Sequence, residues 1–185
     1  MEQLLNEKGG LRYLVSDTFE GSMLVPVIKN ILYKAENDWD DYDEVSHCCR
    51  LIEAVRKDPD MKMDFHFIKR GEDTIGAGLI TYGAIDMQLF FSGAFSFTDP
   101  IGNIVIFNYF HIAPEGRGTG EYWLRDIILP HYYGKGFTAL YVKSSHPKVF
   151  SLYGRLGTVV GEYRGKSDNG LYTRQGKIFR IPIAE

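Results

Sequence analysis

The sequence predicts an α/β domain of the α+β kind, a central twisted mixed sheet flanked by helices. Three observations predict it. Extended and helical patterns alternate in the order strand, two helices, two or three strands, then strand–helix–strand–helix–strand–strand. The 185 residues suit one domain, residues 1–185, and a chain of this size buries roughly 70% of its unfolded surface. A composition 44% hydrophobic, 24% charged and 14% aromatic supplies the side chains for such a core.

Residues 10–17 (GLRYLVSD) mix β-formers with polar residues and read as the first strand. Beyond Thr18, Met23, Val27, Ile28, Ile31 and Leu32 recur at helical spacing, and Pro26 either kinks this helix or marks its first turn. Residues 41–57 repeat the pattern, with Val45, Cys48, Leu51, Ile52 and Val55 in one stripe and Asp58-Pro59 as the stop. Residues 64–69 and 74–82 read as a hairpin joined at RGED. The following run, IDMQLFFSGAFSFTDPIGN, is apolar and aromatic and fits no clean period. Residues 104–112 then read as a strand, 122–133 as a helix, 138–143 as a strand and 147–156 as a helix. Strands near 158–163 and 177–183 close the chain.

A net charge of −3 and a pI of about 6.0 offer no basic face for a nucleic-acid partner. Cys48 and Cys49 are adjacent, too close to bridge readily and too few for a disulfide framework, so reduced thiols and a cytoplasmic setting are expected. The opening MEQLLNEKGG lacks a basic segment followed by an apolar one, so no leader peptide is expected. No run approaches ~18 uninterrupted apolar residues, so no membrane span is expected either.

The most informative segment is IVIFNYFHIAPEGRGTGEYWLRDIIL: a strand, a turn at Gly116-Arg117-Gly118-Thr119-Gly120, then a helix. Glycines let the backbone turn sharply and bring N–H groups close to a ligand, and the helix start adds unpaired donors with partial positive charge. Such a turn suits a phosphate or pyrophosphate, with Arg117 available for a charged contact; it equally suits a plain chain reversal. A nucleotide P-loop needs Gly-Lys-Ser/Thr, which is absent, and G-x-G-x-x-G counted from Gly116 ends on Glu121. Downstream, SSHPKVFSLYGRLG reads as a short helix with Gly157 as its C′ residue. Tyr153 within it reads either as core or as a site residue.

The run from the strand through Pro114 to Gly120 resembles the acyl-CoA loop of the GNAT (Gcn5-related N-acetyltransferase) family, whose pattern is [Arg/Gln]-x-x-Gly-x-[Gly/Ala]. Leu152-Tyr153-Gly154-Arg155-Leu156-Gly157 resembles that family's second signature, a Tyr three residues before Leu-Gly. The resemblance is strongest over residues 104–160. It departs from the family at Glu115, which stands for Arg or Gln, at His146, which stands for Asn, and at Thr158, which stands for Phe.

The resemblance implies a GNAT-like acyl-CoA N-acyltransferase fold and transfer of an acetyl or other acyl group to an amine, small molecule or peptide. It calls for acetyl-CoA or another acyl-CoA as co-substrate and no metal. It places cofactor contacts at Ile112, Ala113, Glu115, Gly116, Arg117, Gly118, Thr119, Gly120, Glu121, His146 and Tyr153. Acyl transfer needs an oxyanion donor, a base and a proton for the leaving thiolate. Strand N–H groups near Ile112 would supply the first and the Tyr153 hydroxyl the last. His111 has the intrinsic pKa of a base, with Glu121, Glu162 or a water chain as fallbacks. Strict alternation sets His111 and Tyr109 opposite Asn108, Phe110 and Ile112, and the resemblance puts a strand-borne base with the even positions unless a bulge shifts the phase.

Between the first two helices, AENDWDDYDE carries Asp38, Trp39, Asp40 and Asp41, which would draw a cationic amine; the same aspartates would serve as helix caps in a solvated loop. Leu89, Phe90, Phe91, Phe95 and Phe97 read as core, as a homodimer contact or as a wall of the acceptor pocket. Two other functions share these features: a domain that binds or senses acyl-CoA without turnover, and an interaction protein with a coincidental turn.

Overall fold

The computed structural model describes residues 2–36, 44–91, 95–166 and 173–184. Eight strands form one sheet in the order β1-β2-β3-β4-β5-β6-β8-β7. They are β1 (Gln3–Lys8), β2 (Leu11–Ser16), β3 (Met61–Arg70), β4 (Asp73–Gly83), β5 (Ile104–Ile112), β6 (Ala139–Ser144), β7 (Thr158–Lys166) and β8 (Thr173–Pro182). Every pairing is antiparallel except β5 with β6. The expected mixed sheet is therefore present.

β1 lies outside the expected element order. Gly9 and Gly10, at φ 59° and 76°, reverse the chain so that Gln3–Lys8 pairs with β2. Two successive residues at positive φ make the tight hairpin turn that glycine alone adopts freely. The stop of the expected first strand is close to that observed.

One face of the sheet carries α1 (Leu24–Glu36) and α2 (Glu44–Arg56). Pro26 sits in the first turn of α1, where its missing N–H costs nothing, so the helix starts there without a kink. Met23 and Val27 are buried, but Ile28 and Leu32 from the expected stripe are 44% and 58% exposed. Cys48, Ile52 and Val55 of α2 meet the expectation and pack on Phe65, Phe67, Leu79 and Ile106. Cys48 is buried and Cys49 exposed; burial pushes the Cys48 thiol up to about 12.

The other face carries α6 (Pro147–Leu156) and one continuous helical run of α4 (Gly120–Tyr122), a π-helical stretch (Trp123–Ile128) and α5 (Leu129–Gly134). Trp123, Leu124, Ile127, Ile128 and Tyr132 from this run bury against Val105, Phe107, Leu140 and Phe179. Burial on this scale, roughly 2 kcal/mol for each fully covered large side chain, fixes the helix over β4, β5 and β6. The aperiodic segment contains α3 (Met87–Phe90), a single turn; Phe90 and Phe91 are core, and half-buried Phe95 and Phe97 pack on Tyr141.

Among the described residues no helix is long and apolar enough to cross a membrane.

Candidate active site

β5 carries a bulge. Leu79 pairs with Tyr109 and Ile80 with Phe107, which leaves Asn108 as the extra residue. Its amide reaches Thr81 Oγ1 and the Ile106 carbonyl. The bulge resets the strand's faces. Val105 and Phe107 join the core under the α4–α5 run, and beyond the bulge it is Phe110 and Ile112 that pack there. His111 consequently points to the α1/α2 face.

The bulge also marks where β5 and β6 separate. Their parallel pairing runs from Ile104–Ala139 to Phe107–Val142 and ends there, while β5 continues to Ile112 and β6 to Ser144. The Ala113 N–H donates to the Ile75 carbonyl at 2.8 Å, toward β4. Alternation therefore turns the N–H groups of Phe110 and Ile112 the other way, into the opening between the strands. The expectation of strand donors near Ile112 concerns these groups. Ala113 itself is buried, with its N–H engaged.

On the α1/α2 face of this fork lies a nearly buried polar cluster. Glu44 Oε2 is 3.6 Å from His111 Nδ1, within charge range but longer than a hydrogen bond, and its other oxygen is paired with Lys34. The Asn30 amide is 3.4 Å from the same imidazole nitrogen. Burial lowers the His111 pKa; Glu44 pulls it back up, and Lys34 and His146 push it further down. A His111 held neutral at neutral pH is a proton acceptor. His146 precedes α6; its N–H donates to Ser144 Oγ at 3.1 Å, and burial lowers its pKa as well.

On the opposite face α6 buries Tyr153, 3% exposed, with its ring 5.4 Å from that of Phe179. Burial pushes the phenol well above its usual pKa, so it stays protonated. Gly157 ends α6, but not as a left-handed C′ residue: its φ is −159°, an ordinary extended value. A glycine is required there because a Cβ would sit 2.2 Å from the Arg180 carbonyl oxygen of β8.

The glycine turn joins β5 to α4. Gly118 has φ 91°, the left-handed conformation that favours glycine. A Cβ on Gly120 would press on Ile112 and Phe110 at 3.1 and 3.3 Å. Thr119 Oγ1 donates to the Gly116 carbonyl at 2.7 Å, closing the turn from inside. Among the described residues the N–H groups of Gly118 and Gly120 have no backbone acceptor, as expected at a helix start. The acidic residues beside the turn are neutralised. Glu115 pairs with Lys29 of α1, and Glu121 with Arg155 of α6 at 2.5 Å and Arg125 at 3.5 Å. The Arg117 guanidinium lies 3.9 Å over the Tyr33 ring, facing α1.

Glu162 lies on β7 at the sheet edge, 3.7 Å from Lys177 with its side chain 72% exposed, away from the fork. Asp38, Trp39, Asp40 and Asp41 lie outside the described residues. Among those described, no group of three or more His, Cys, Asp or Glu could hold a metal ion. The sequence did not single out Glu44, Lys34 or Asn30 for the cluster around His111. Glu44 reads in the chain as one more member of an acidic run at a helix start, and only the packing of α1 and α2 across β5 brings it to the imidazole.

No family model and no curated protein matches the chain. Solved structures do. A GNAT-family protein from Desulfovibrio desulfuricans superposes with a TM-score of 0.59 at 12% identity, over 94% of this chain and 99% of that one. The ribosomal-protein-S18-alanine N-acetyltransferase of Escherichia coli gives 0.56 at 11%, over 94% and 95%. A GNAT-superfamily phosphinothricin acetyltransferase from Sinorhizobium meliloti, solved with acetyl-CoA, gives 0.55 at 14%, over 92% and 88%.

Proposed function

From the premise that this chain has the GNAT fold, we propose that it is an N-acyltransferase. It moves an acetyl or related acyl group from acetyl-CoA, or another acyl-CoA, to an amine. The observation that carries this reading is the fork itself: β5 and β6 part with His111 on one face, the Tyr153 helix on the other, and outward-turned strand N–H groups between them. A base and a proton donor on opposite sides of one opening are what transfer between two ligands requires.

The glycine turn fits a pyrophosphate on three counts: unengaged N–H groups, open space at Gly118 where a Cβ would stand, and flanking carboxylates already paired with cations. Acyl-CoA supplies the activated thioester. His111, kept neutral by burial, takes the proton from the amine as the C–N bond forms. The Phe110 and Ile112 N–H groups stabilise the oxygen that becomes negative. As the C–S bond breaks, Tyr153 donates a hydrogen bond to the sulfur; its raised pKa suits a persistent donor better than a group that ionises. CoA leaves as the thiolate under that hydrogen bond and takes its proton from solvent, while His111 returns its own to solvent, so the proton lost by the amine matches the one gained by the sulfur. The acidic run that holds Asp38, Asp40 and Asp41, with Trp39 among them, would draw a cationic amine, which sheds its extra proton to solvent before attack, so neutralising the three aspartates should raise the acceptor KM.

Calorimetric titration with acetyl-CoA tests the reading, beside Gly120→Asp, which sets a carboxylate at the helix start. Micromolar binding that the variant loses, with its far-UV spectrum intact, supports it. Absence of binding by acetyl-CoA and longer acyl-CoAs would overturn it.

A further inference from the structure

Lys143 is the first residue of β6 beyond the last pair it makes with β5, so it stands at the root of the fork. Tyr141 belongs to the core on the α1/α2 face, and alternation sends Lys143 to that same face, the one His111 occupies. Its ammonium is walled by aromatic rings, 5.2 Å from the centroid of Tyr163 and 5.9 Å from that of Phe91. These walls are fixed. Phe91 is 3% exposed in the core, and Tyr163 lies over Gly176, where a Cβ would come within 2.0 Å of its ring.

The other cations around the site have partners: Lys34 has Glu44, Lys29 has Glu115, Arg155 has Glu121, and Arg117 has the Tyr33 ring. Lys143 meets no carboxylate and donates no hydrogen bond among the described residues. A half-buried ammonium against rings keeps part of its desolvation cost, and burial accordingly lowers its pKa. An anion arriving in the fork would restore what burial removed.

We infer that Lys143 receives the carboxylate of the acceptor, which makes the acceptor an amino acid or another amine that also bears a carboxylate. This rests on the acyl-transfer reading above. The two ends of the acceptor then meet opposite charges across the fork, its amine toward Glu44 and His111 and its carboxylate toward Lys143. Discounting the bulge residue Asn108, His111 stands two ladder steps further along β5 than Lys143 does along β6, about 7 Å at the usual strand rise, on the same face of the sheet. A single ammonium between rings matches one carboxylate better than a phosphate, which calls for several donors.

The test compares a panel of L-amino acids with their carboxamides as acceptors for acetyl-CoA, using the wild type, Lys143→Met and Lys143→Arg. The wild type should favour acids over amides by about tenfold or more in kcat/KM, chiefly through KM. Lys143→Met should bring that ratio to near one while its acetyl-CoA affinity stays unchanged, and Lys143→Arg should retain most of the preference. Equal use of acids and amides by the wild type, or a preference that survives Lys143→Met, would overturn the inference and leave the acyl-transfer reading standing. So would acetyl-CoA binding with no turnover of any amino acid. Failure to bind acyl-CoA would remove both.

Discussion

His66 and His111 both lie in central strands near a carboxylate, and burial lowers the pKa of both, but the sheet puts them on opposite faces and in different company. Under α5, Asp64 is enclosed by three donors: Tyr132 at 2.9 Å, Lys135 at 2.8 Å and Tyr82 at 3.2 Å. The single Tyr132 proton goes to Asp64, so His66 Nε2, 3.0 Å away, is the donor to the Tyr132 oxygen. Those donors satisfy Asp64, and the group borders a surface pocket that Ser16, Asp17 and His131 also line. At the fork, Glu44 is shared between Lys34 and His111, and the imidazole sits loosely, 3.4 Å from Asn30, where two strands separate. A lowered histidine pKa therefore does not by itself mark a site. What distinguishes His111 is its place on β5 beyond the point where the pairing with β6 ends.

The contrast can be broken at either end. His111→Ala should reduce kcat by about 100- to 1000-fold with little loss of stability, because the Lys34–Glu44 pair survives; steady-state kinetics beside a urea melt would show it. Asp64→Ala should do the reverse. It leaves Lys135, the buried Tyr132 hydroxyl and the half-buried Tyr82 hydroxyl without their acceptor and should cost about 3 kcal/mol in the urea melt, with acetyl-CoA affinity unchanged.

The next effect is smaller. His66 has its folded pKa well below the unfolded value of 6.5, so the unfolded chain binds the proton more readily as pH falls below 6.5. Stability should drop there by about 1.4 kcal/mol per pH unit for this group, and His66→Gln should remove that share of the slope. The smallest effect sharpens the fork. The acid limb of kcat/KM should lie below pH 6.5, and Glu44→Gln should move it lower still, because the carboxylate is what raises the His111 pKa.

The strand–turn–helix around Gly116 to Gly120 and the helix carrying Tyr153 were legible because their signals are local: glycines at a turn, an apolar strand before it, a helical stripe after it. The Gly9-Gly10 hairpin was equally local, yet β1 is short and mostly polar, and one side of an edge strand writes no alternation into the chain. The bulge at Asn108 left no mark, since an extra residue changes the face of its neighbours without changing their types. His111 was recognisable as a base by its chemistry alone. Its partners could not be found, because Asn30, Lys34 and Glu44 meet it only through packing of distant elements. Gly157 shows a right residue with a different cause: a close approach by β8, invisible from α6, takes the place of a backbone angle.

The π-helical stretch has a further consequence. A π turn holds about one more residue than an α turn, so the helix beyond Ile128 is rotated relative to a regular continuation. Its first turn presents Gly120 to the fork, while its last presents Tyr132 and Lys135 to Asp64. Each end is thus aimed independently, and the chain could alter one without detuning the other. Losing one residue from this stretch would restore a uniform helix and swing one end out of alignment, turning the rod that joins the two clusters into a lever between them.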